Sequence, residues 1–479
     1  MPNNISLIAQ ELNIAQSQVT GVIELLENGA TIPFIARYRK EKTGSLDEIA
    51  IASIRDQQIK HQTLAARREA ILASLANIGK LTNSLKQQLQ QANTLTELED
   101  LYLPHRPRRQ TRATKAKEAG LEPLACHIYS GKPSEIRLES FINSEKEILS
   151  IETAIQGSCD IIAEWISEHS PTRASLRTLF HKKAQLVSRV ISGKEEEGQK
   201  YRDFFQWEEL ARTIPGHRLL AILRGEREKL LSLSLRPQKE AALDLLHRLH
   251  PGRVPWRETI SATIADSYTR LLGPALEREM RKQLFEAAED DAIGVFATNL
   301  RQLLLAPPLG ARRVLALDPG FRTGAKLVCL NSQGELLDST TIYPTHGGRK
   351  ADEAAETVRK LITTHAIEAI AIGNKTAARE TEQFIRSLEL PAQIIIAMVN
   401  EDGASVYSAS EVARREFPEL DITARGAISI GRRLQDPLAE LVKIDPRSIG
   451  VGQYQHDLDH RKLEQALTDT IMHCVNSVG

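Results

Sequence analysis

Four carboxylates in the C-terminal part of the chain have a setting suited to phosphoryl chemistry: Asp318, Glu401, Asp402 and Asp436. Asp318 opens the stretch DPGFRTG directly after the apolar run 314–317, and a second apolar run follows at 326–330. Short apolar runs bounded by Gly, Pro and Asn mark buried strands joined by tight connections. Asp318 is therefore expected at the end of a central strand, with its carboxylate facing past the sheet edge. Glu401 and Asp402 follow another apolar run, 393–399, and Asp436 stands before Pro437. Two-metal phosphodiester cleavage needs several carboxylates converging on ions roughly 4 Å apart, which clamp the attacking and leaving oxygens. The plain alternative is a turn-forming Asp-Pro-Gly with no chemistry.

The carboxylate set has a gap. The strand expected at 367–373 ends in Asn374-Lys375-Thr376, with no acid, and Lys375 brings positive charge to the place where a cation would sit. Glu380 lies a turn or more into the following helix. A nucleic-acid-binding scaffold is thus the reading the residues support, with a metal-dependent nuclease using Asp318, Glu401 or Asp402, and Asp436 as the alternative. Mg²⁺ or Mn²⁺ is called for only by the nuclease; otherwise no cofactor is expected, and no metal site is assigned. Asn374, Lys375, Thr376 and Arg379 read as phosphate or backbone contacts at a helix N-terminus, with Arg322 beside them in the first loop. Ser405, Tyr407 and Ser408 could hydrogen-bond nucleic acid in the same cleft.

A second cationic group lies far upstream. Segment 103–117 carries Arg106, Arg108, Arg109, Arg112, Lys115 and Lys117 with no acid among them, and two prolines hold its start extended. Such a cluster neutralises phosphates, or else forms a solvated loop paired with acidic helices. Other chemistry is sparse. His456 and His460 are four apart, but no third ligand is near. No Walker A sequence occurs, and for the second glycine-rich phosphate loop that an actin-like ATPase needs, IGNKTA at 372–377 is a poor candidate.

Lys and Arg total 62 and Asp and Glu total 62, which excludes a uniformly basic binder but leaves room for a local basic groove. The four cysteines, Cys126, Cys159, Cys329 and Cys474, form no CxxC pair, so neither a zinc module nor a disulfide framework is expected. The start of the chain lacks a signal peptide's basic and apolar regions, and no apolar segment has the length of a membrane span. A cytoplasmic protein without membrane contact is expected.

The elements that must position these residues fall into three stretches. Residues 1–310 read as almost all helix: Ile5, Ile8, Leu12 and then Val19, Val22, Ile23, Leu26 make two short helices, with a weak helix-turn-helix likeness. Ser45 as cap and Glu48 three residues on are expected to open a long helix that stops at Gly79. Residues 135–210 read as further helices, and the alternation LSLSL at 231–235 as a lone strand. Ala306-Pro307-Pro308-Leu309-Gly310 is the expected hinge and domain boundary. Beyond it come hairpin-joined strands and then strand–helix–strand units, which make a mixed sheet flanked by helices. That order matches the RNase H-like fold. The expected domains are 1–310 (helical), 311–450 (α/β, RNase H-like) and 451–479 (the start of a further helical region). The last helix has an apolar stripe with nothing after it to bury it, as in a chain cut before further modules.

Seven long motifs then carry a resemblance: NGATIPFIARYRKEKTGSLDE at 28–48, LYLPHRPRRQTRATKAKEAGLEPLA at 101–125, PGHRLLAILRGE at 215–226, LLLAPPLGARRVLALDPGFRTGAKL at 303–327, IGNKTAARETE at 372–382, VNEDGASVYSASEVARREFP at 399–418 and ISIGRRLQDPLAELVKIDPRSIGVGQYQHD at 428–457. Together they resemble the bacterial Tex transcription accessory proteins, which are similar to a eukaryotic transcription elongation factor. The resemblance covers essentially the whole chain. It implies a helical N-terminal region with a helix-turn-helix-like part, followed by a YqgF-type RNase H-like domain. In the family, helix-hairpin-helix motifs and a C-terminal OB-fold RNA-binding domain come next, and the chain is expected to stop before them. Ala325 stands where the family pattern has Cys, and Asp402 interrupts the usual NEAGAS. The implied function is a transcription accessory factor that binds RNA or single-stranded DNA through phosphates with little sequence discrimination. RNA polymerase or other transcription machinery is the implied partner, and a pure protein-interaction scaffold is a further alternative.

Overall fold

The structure, a computed structural model, describes residues 2–106, 110–131, 136–452 and 455–478. It divides into two compact units, Met1–Ala288 and Glu289–Gly479. Among the described residues, no helix is long and apolar enough to cross a membrane.

The first unit begins with helices α1 (Pro2–Leu12) and α2 (Gln16–Glu27), separated at Asn13, which takes a left-handed φ of 53°. Ile8, Val19 and Val22 pack with Ile51 and Ile54 of the long helix α3 (Glu48–Asn77) in one core. The cap of α3 differs from expectation. Asp47 caps it, accepting from the Ala50 amide at 2.8 Å, while Ser45 turns into the left-handed region at φ 61°. Gly44 and Ser45 together reverse the chain, so the first side chain able to reach the free helix amides is Asp47.

The basic segment also departs from the extended start expected of it: Leu103–His105 makes a turn of 3-10 helix. Arg112–Glu118 forms helix α4, capped by Thr111, whose hydroxyl accepts from the Thr114 amide at 3.0 Å. Small buried residues, Ala113 and Ala116, let α4 lie close to helix α5 (Ile151–Glu168). Helix α6 (Ser170–Lys183) leads into a sheet that overturns the all-helical reading of 135–210. Strands β1 (Gln185–Val190), β2 (Gln206–Leu210) and β3 (Leu231–Arg236) form an antiparallel sheet in the order β2-β1-β3. The alternating LSLSL run is therefore paired along its length with β1. Helix α7 (Gly273–Leu304) carries the boundary between the units.

The second unit is built on a five-stranded mixed sheet. Its strands are β4 (Val314–Asp318), β5 (Ala325–Leu330), β6 (Leu336–Ile342), β7 (Ala369–Gly373) and β8 (Ile395–Val399). Their order is β6-β5-β4-β7-β8, which puts β4 in the middle. The β4–β5 and β5–β6 pairs are antiparallel, and the β4–β7 and β7–β8 pairs are parallel. Successive side chains leave a strand on opposite faces, so a strand covered on both sides is apolar throughout. Leu315, Leu317, Ile370 and Ile372 pack on Val358 and Leu361 of helix α8 (Gly348–Thr364) and on Ile385 of helix α9 (Ala378–Ser387). On the other face, Val314, Ala316, Ala369 and Ala371 meet Ala427, Ile428 and Ile430 of helix α10 (Ile422–Gln435). The last helix, α11 (His460–Val478), does bury its apolar stripe at Leu463, Leu467 and Cys474.

Candidate functional site

The parallel strands β4, β7 and β8 end at one edge of the sheet, and ligands of such sheets bind in the crevice outside the carboxyl ends of the strands. Asp318 is the last residue of β4. Gly373 ends β7, and Val399 ends β8 just before Asn400, Glu401 and Asp402. A cleft at this edge is lined by Asp318, Lys375, Glu401, Ser405, Thr423 and Gly426. Gly426 matters for its shape: a Cβ built there would stand 3.2 Å from Asp318 Oδ2, so the start of α10 comes close to the carboxylate.

Asp318 and Glu401 form the acidic centre. Burial pushes the Asp318 carboxyl above the usual carboxylate range, and the Lys326 ammonium partly offsets this. Lys326 is held by the Thr341 hydroxyl at 3.1 Å. Burial likewise raises the Glu401 carboxyl, and the nearby charge of Asp318 raises it further. Glu401 Oε2 is buried with no hydrogen-bond partner. Like charges in a desolvated space oppose each other's ionisation.

Two polar contacts tie the ends of β7 and β8 together. The Glu401 amide donates to Asn374 Oδ1 at 3.3 Å, and Lys375 Nζ pairs with Asp402 Oδ1 at 2.9 Å. Asp402 thus faces an ammonium group. A residue not foreseen from sequence braces this loop from below. Arg433, only 4% exposed, donates from Nη1 to the carbonyls of Asn400 at 2.8 Å and Asp402 at 2.7 Å. Its one sequence signal is an arginine on the apolar face of α10, where aliphatic neighbours are the rule.

The structure separates Asp436 from this group. Asp436 lies beyond the C-terminal end of α10 and caps the next helix, accepting from the Ala439 amide at 3.0 Å. Ten helical residues between Gly426 and Asp436 are about 15 Å of rise. Tyr407 also leaves the cleft: it is buried, and its hydroxyl donates to Glu416 at 2.8 Å. Ser408 does line the cleft, but it is buried and its hydroxyl donates to the Ser405 carbonyl at 2.9 Å. Arg322, Asn374, Lys375, Thr376, Arg379 and Glu380 are exposed, and of these Lys375 lines the cleft.

The upstream cations belong to the first unit. Arg106, Arg112 and Lys115 are exposed, and Lys117 is half-buried, 3.9 Å from Glu164. Arg108 and Arg109 lie outside the described residues. Among the described residues, no group of three His, Cys, Asp or Glu side chains could hold a metal ion, His456 and His460 included.

Asp318 and Glu401 therefore do not fit the two-ion centre that an RNase H-like sheet implies. Two carboxylates converge, the next acid is ion-paired to Lys375, and the end of β7 supplies an amide and an ammonium in place of a third.

Three family models match the chain: the Tex-like protein N-terminal domain over residues 2–76, the Tex central region-like model over 130–296, and the Tex protein YqgF-like domain over 312–435. The chain is 45% identical over 482 residues to the uncharacterized protein YdcI of Bacillus subtilis, covering 98% of this chain and 67% of that protein. It is 40% identical over 491 residues to the transcriptional accessory protein Tex of Neisseria gonorrhoeae, covering 100% of this chain and 64% of that one. It is 32% identical over 496 residues to the human S1 RNA-binding domain-containing protein 1, covering 99% of this chain and 50% of that protein. The chain thus spans between half and about two thirds of the length of these relatives.

Proposed function

This chain belongs to the Tex family, and from that membership we propose that it is a transcription accessory factor whose RNase H-like cleft holds nucleic acid without cleaving it. RNA or single-stranded DNA would lie along the strand ends, with phosphates met by Arg322, Lys375, Arg379 and the amide groups after β7. The upstream cations Arg106, Arg108, Arg109, Arg112, Lys115 and Lys117 would add phosphate contacts of their own. The transcription machinery is the proposed partner, in keeping with the printed name of the Neisseria relative.

One observation carries the choice of scaffold over nuclease: Lys375 Nζ sits 2.9 Å from Asp402, so an ammonium occupies the flank of the carboxylate pair. A cation there repels the metal ions that cleavage requires and attracts phosphate instead. Phosphate binding of this kind is salt-dependent and largely indifferent to sequence.

The test is fluorescence anisotropy of the chain with labelled single-stranded RNA across a salt series, in Mg²⁺ or Mn²⁺, followed by a denaturing gel. Salt-sensitive binding with intact RNA is the expected result. RNA that is shortened by the wild type and left intact by Asp318→Asn would overturn it in favour of a nuclease. No binding by the chain would leave a protein-interaction scaffold.

A further inference from the structure

We propose that the sheet edge on the β5–β6 side of Asp318 is a stacking platform for single-stranded nucleic acid, with Phe321 as the ring that receives a base. The inference rests on the binding reading above and assigns it a ligand class and a contact of a different kind, made to base faces and not to phosphates.

Phe321 is 49% exposed at the turn between β4 and β5. The turn itself is tightly held. A Cβ on Gly320 would stand 2.6 Å from Thr323 Oγ1. Gly324, at a left-handed φ of 74°, is pressed against the end of β6, where a Cβ would stand 2.6 Å from the Ile342 carbonyl and 2.9 Å from Tyr343 Cε1. Gly320 thus closes the turn on Thr323, Gly324 seats its end against Tyr343, and Phe321 between them stays half exposed. About half of the Phe321 surface is open to solvent on this loop, which leaves a ring face available to a base.

Tyr343, half-buried against Gly324 of the same turn, supplies a second ring. His346 packs edge-on against it with centroids 5.1 Å apart, and Lys350 Nζ lies 5.0 Å over its ring. Cations are interleaved with these rings. Arg322 is exposed next to Phe321, and Lys350 is exposed beside Tyr343. Arg349 has its side chain 92% exposed and pairs with Glu353 of the same helix at 2.9 Å. An exposed pair of that kind is weak, so the guanidinium can exchange its carboxylate for a phosphate.

Alternating aromatic faces and cations are what sequence-tolerant single-strand binders use, because every base has a face to stack and every nucleotide a phosphate to neutralise. A duplex keeps its base faces covered and would gain only the charge contacts. An acidic peptide would use the cations and leave Phe321 idle.

The test uses the full chain with fluorescein-labelled oligo(U), oligo(dT) and a duplex of the same length. Phe321→Ala is expected to weaken single-strand binding about tenfold with an unchanged salt slope. Arg322→Ala is expected to lower the slope of log K against log salt by about 0.7. Phe321→Trp should retain affinity, and its indole fluorescence should be quenched on binding. Exposure of Phe321 means that all three variants should melt as the wild type does. Wild-type binding that Phe321→Ala leaves unchanged, with no quenching of the tryptophan, would overturn the platform and leave the phosphate-binding reading intact. Equal affinity for the duplex would also overturn it. Failure of the wild type to bind any of the three would overturn both.

Discussion

The Glu401 carboxylate occupies the space that a side chain on Gly373 would need: Oε2 lies 2.2 Å from the position of a Cβ built on that glycine. The acid at the end of β7 is thus replaced in space by one delivered from the loop after β8. Gly373→Ala should push Glu401 aside at a modest cost of about 1 kcal/mol, because the far end of a flexible side chain gives way more easily than core atoms. Carbon-13 NMR titration checks this. The Glu401 carboxyl, moved from Asp318, should titrate closer to an ordinary glutamate, and an unchanged titration would mean that the backbone had yielded instead.

The same pair sets a pH dependence. Burial raises both carboxyls, so the fold favours their protonated forms. Their contribution to stability is full below the ordinary carboxylate range and is lost as pH rises through the folded values. Glu401→Gln removes one of the opposed charges. It should be more stable than the wild type towards urea near neutral pH, and that advantage should vanish at about pH 4. An advantage that persists in acid would show that the charge is not its source.

Gly431 lets α10 settle on the sheet. A Cβ there would stand 2.6 Å from Leu330 Cδ1 and 3.0 Å from Ala316 Cβ, both in the core. Here the Leu330 methyl is packed in the core and Ala316 Cβ is fixed to the strand, so neither gives way as readily as the Glu401 carboxylate. Gly431→Ala should cost about 1–3 kcal/mol by overpacking, read as a lower urea midpoint.

In the first unit, Asp100 joins two arginines of α6. It accepts from Arg173 Nε at 2.6 Å and from Arg177 Nη2 at 2.8 Å, and Arg177 also binds Glu279 of α7. Asp100 is 7% exposed. Removing one member of a buried ionic cluster strands the others, so Asp100→Ala should cost about 3–5 kcal/mol. Replacing Asp100, Arg173, Arg177 and Glu279 together by apolar residues should recover part of that loss, as thermal melts of the two variants would tell.

His250 gives the first unit its own acid sensitivity. It is 4% exposed, between the Tyr129 hydroxyl at 2.8 Å from Nδ1 and the Thr172 hydroxyl at 2.7 Å from Nε2. Burial, helped by the charge of His169, lowers its pKa to about 4. A histidine held neutral by the fold contributes stability above its unfolded value, about 6.5, and that contribution is lost as pH falls through the folded value. Wild-type stability should therefore drop by up to about 3 kcal/mol between those limits. The His250→Gln variant should lack this part of the decline.

Much of the sheet could be read along the chain. Strands β4 and β7 are covered on both faces, so each is an unbroken apolar run ended by a turn, and Asp318 and Lys375 follow from where those runs stop. Strands β1 and β2 are not legible along the chain for the opposite reason. QLVSRV and QWEEL are short and half-polar, and their pairing with each other and with β3 depends on residues distant in sequence. The cap of α3 lies two residues beyond the Ser45 that the sequence suggests, because the left-handed turn at Ser45 is a backbone property that its side chain does not announce.

Residue type and local order determined which groups are available at the strand ends: one acid after β4, an amide and an ammonium after β7, two acids after β8. Tertiary structure decided which of them share a desolvated space. It set Glu401 against Gly373 and beside Asp318, turned Asp402 to Lys375, sent Asp436 to the far end of α10, and placed Arg433 under the loop that carries the acids. The physical reason is that a charge's partner and its exposure to water are fixed by chain segments that meet only on folding, and no spacing along the sequence encodes that distance.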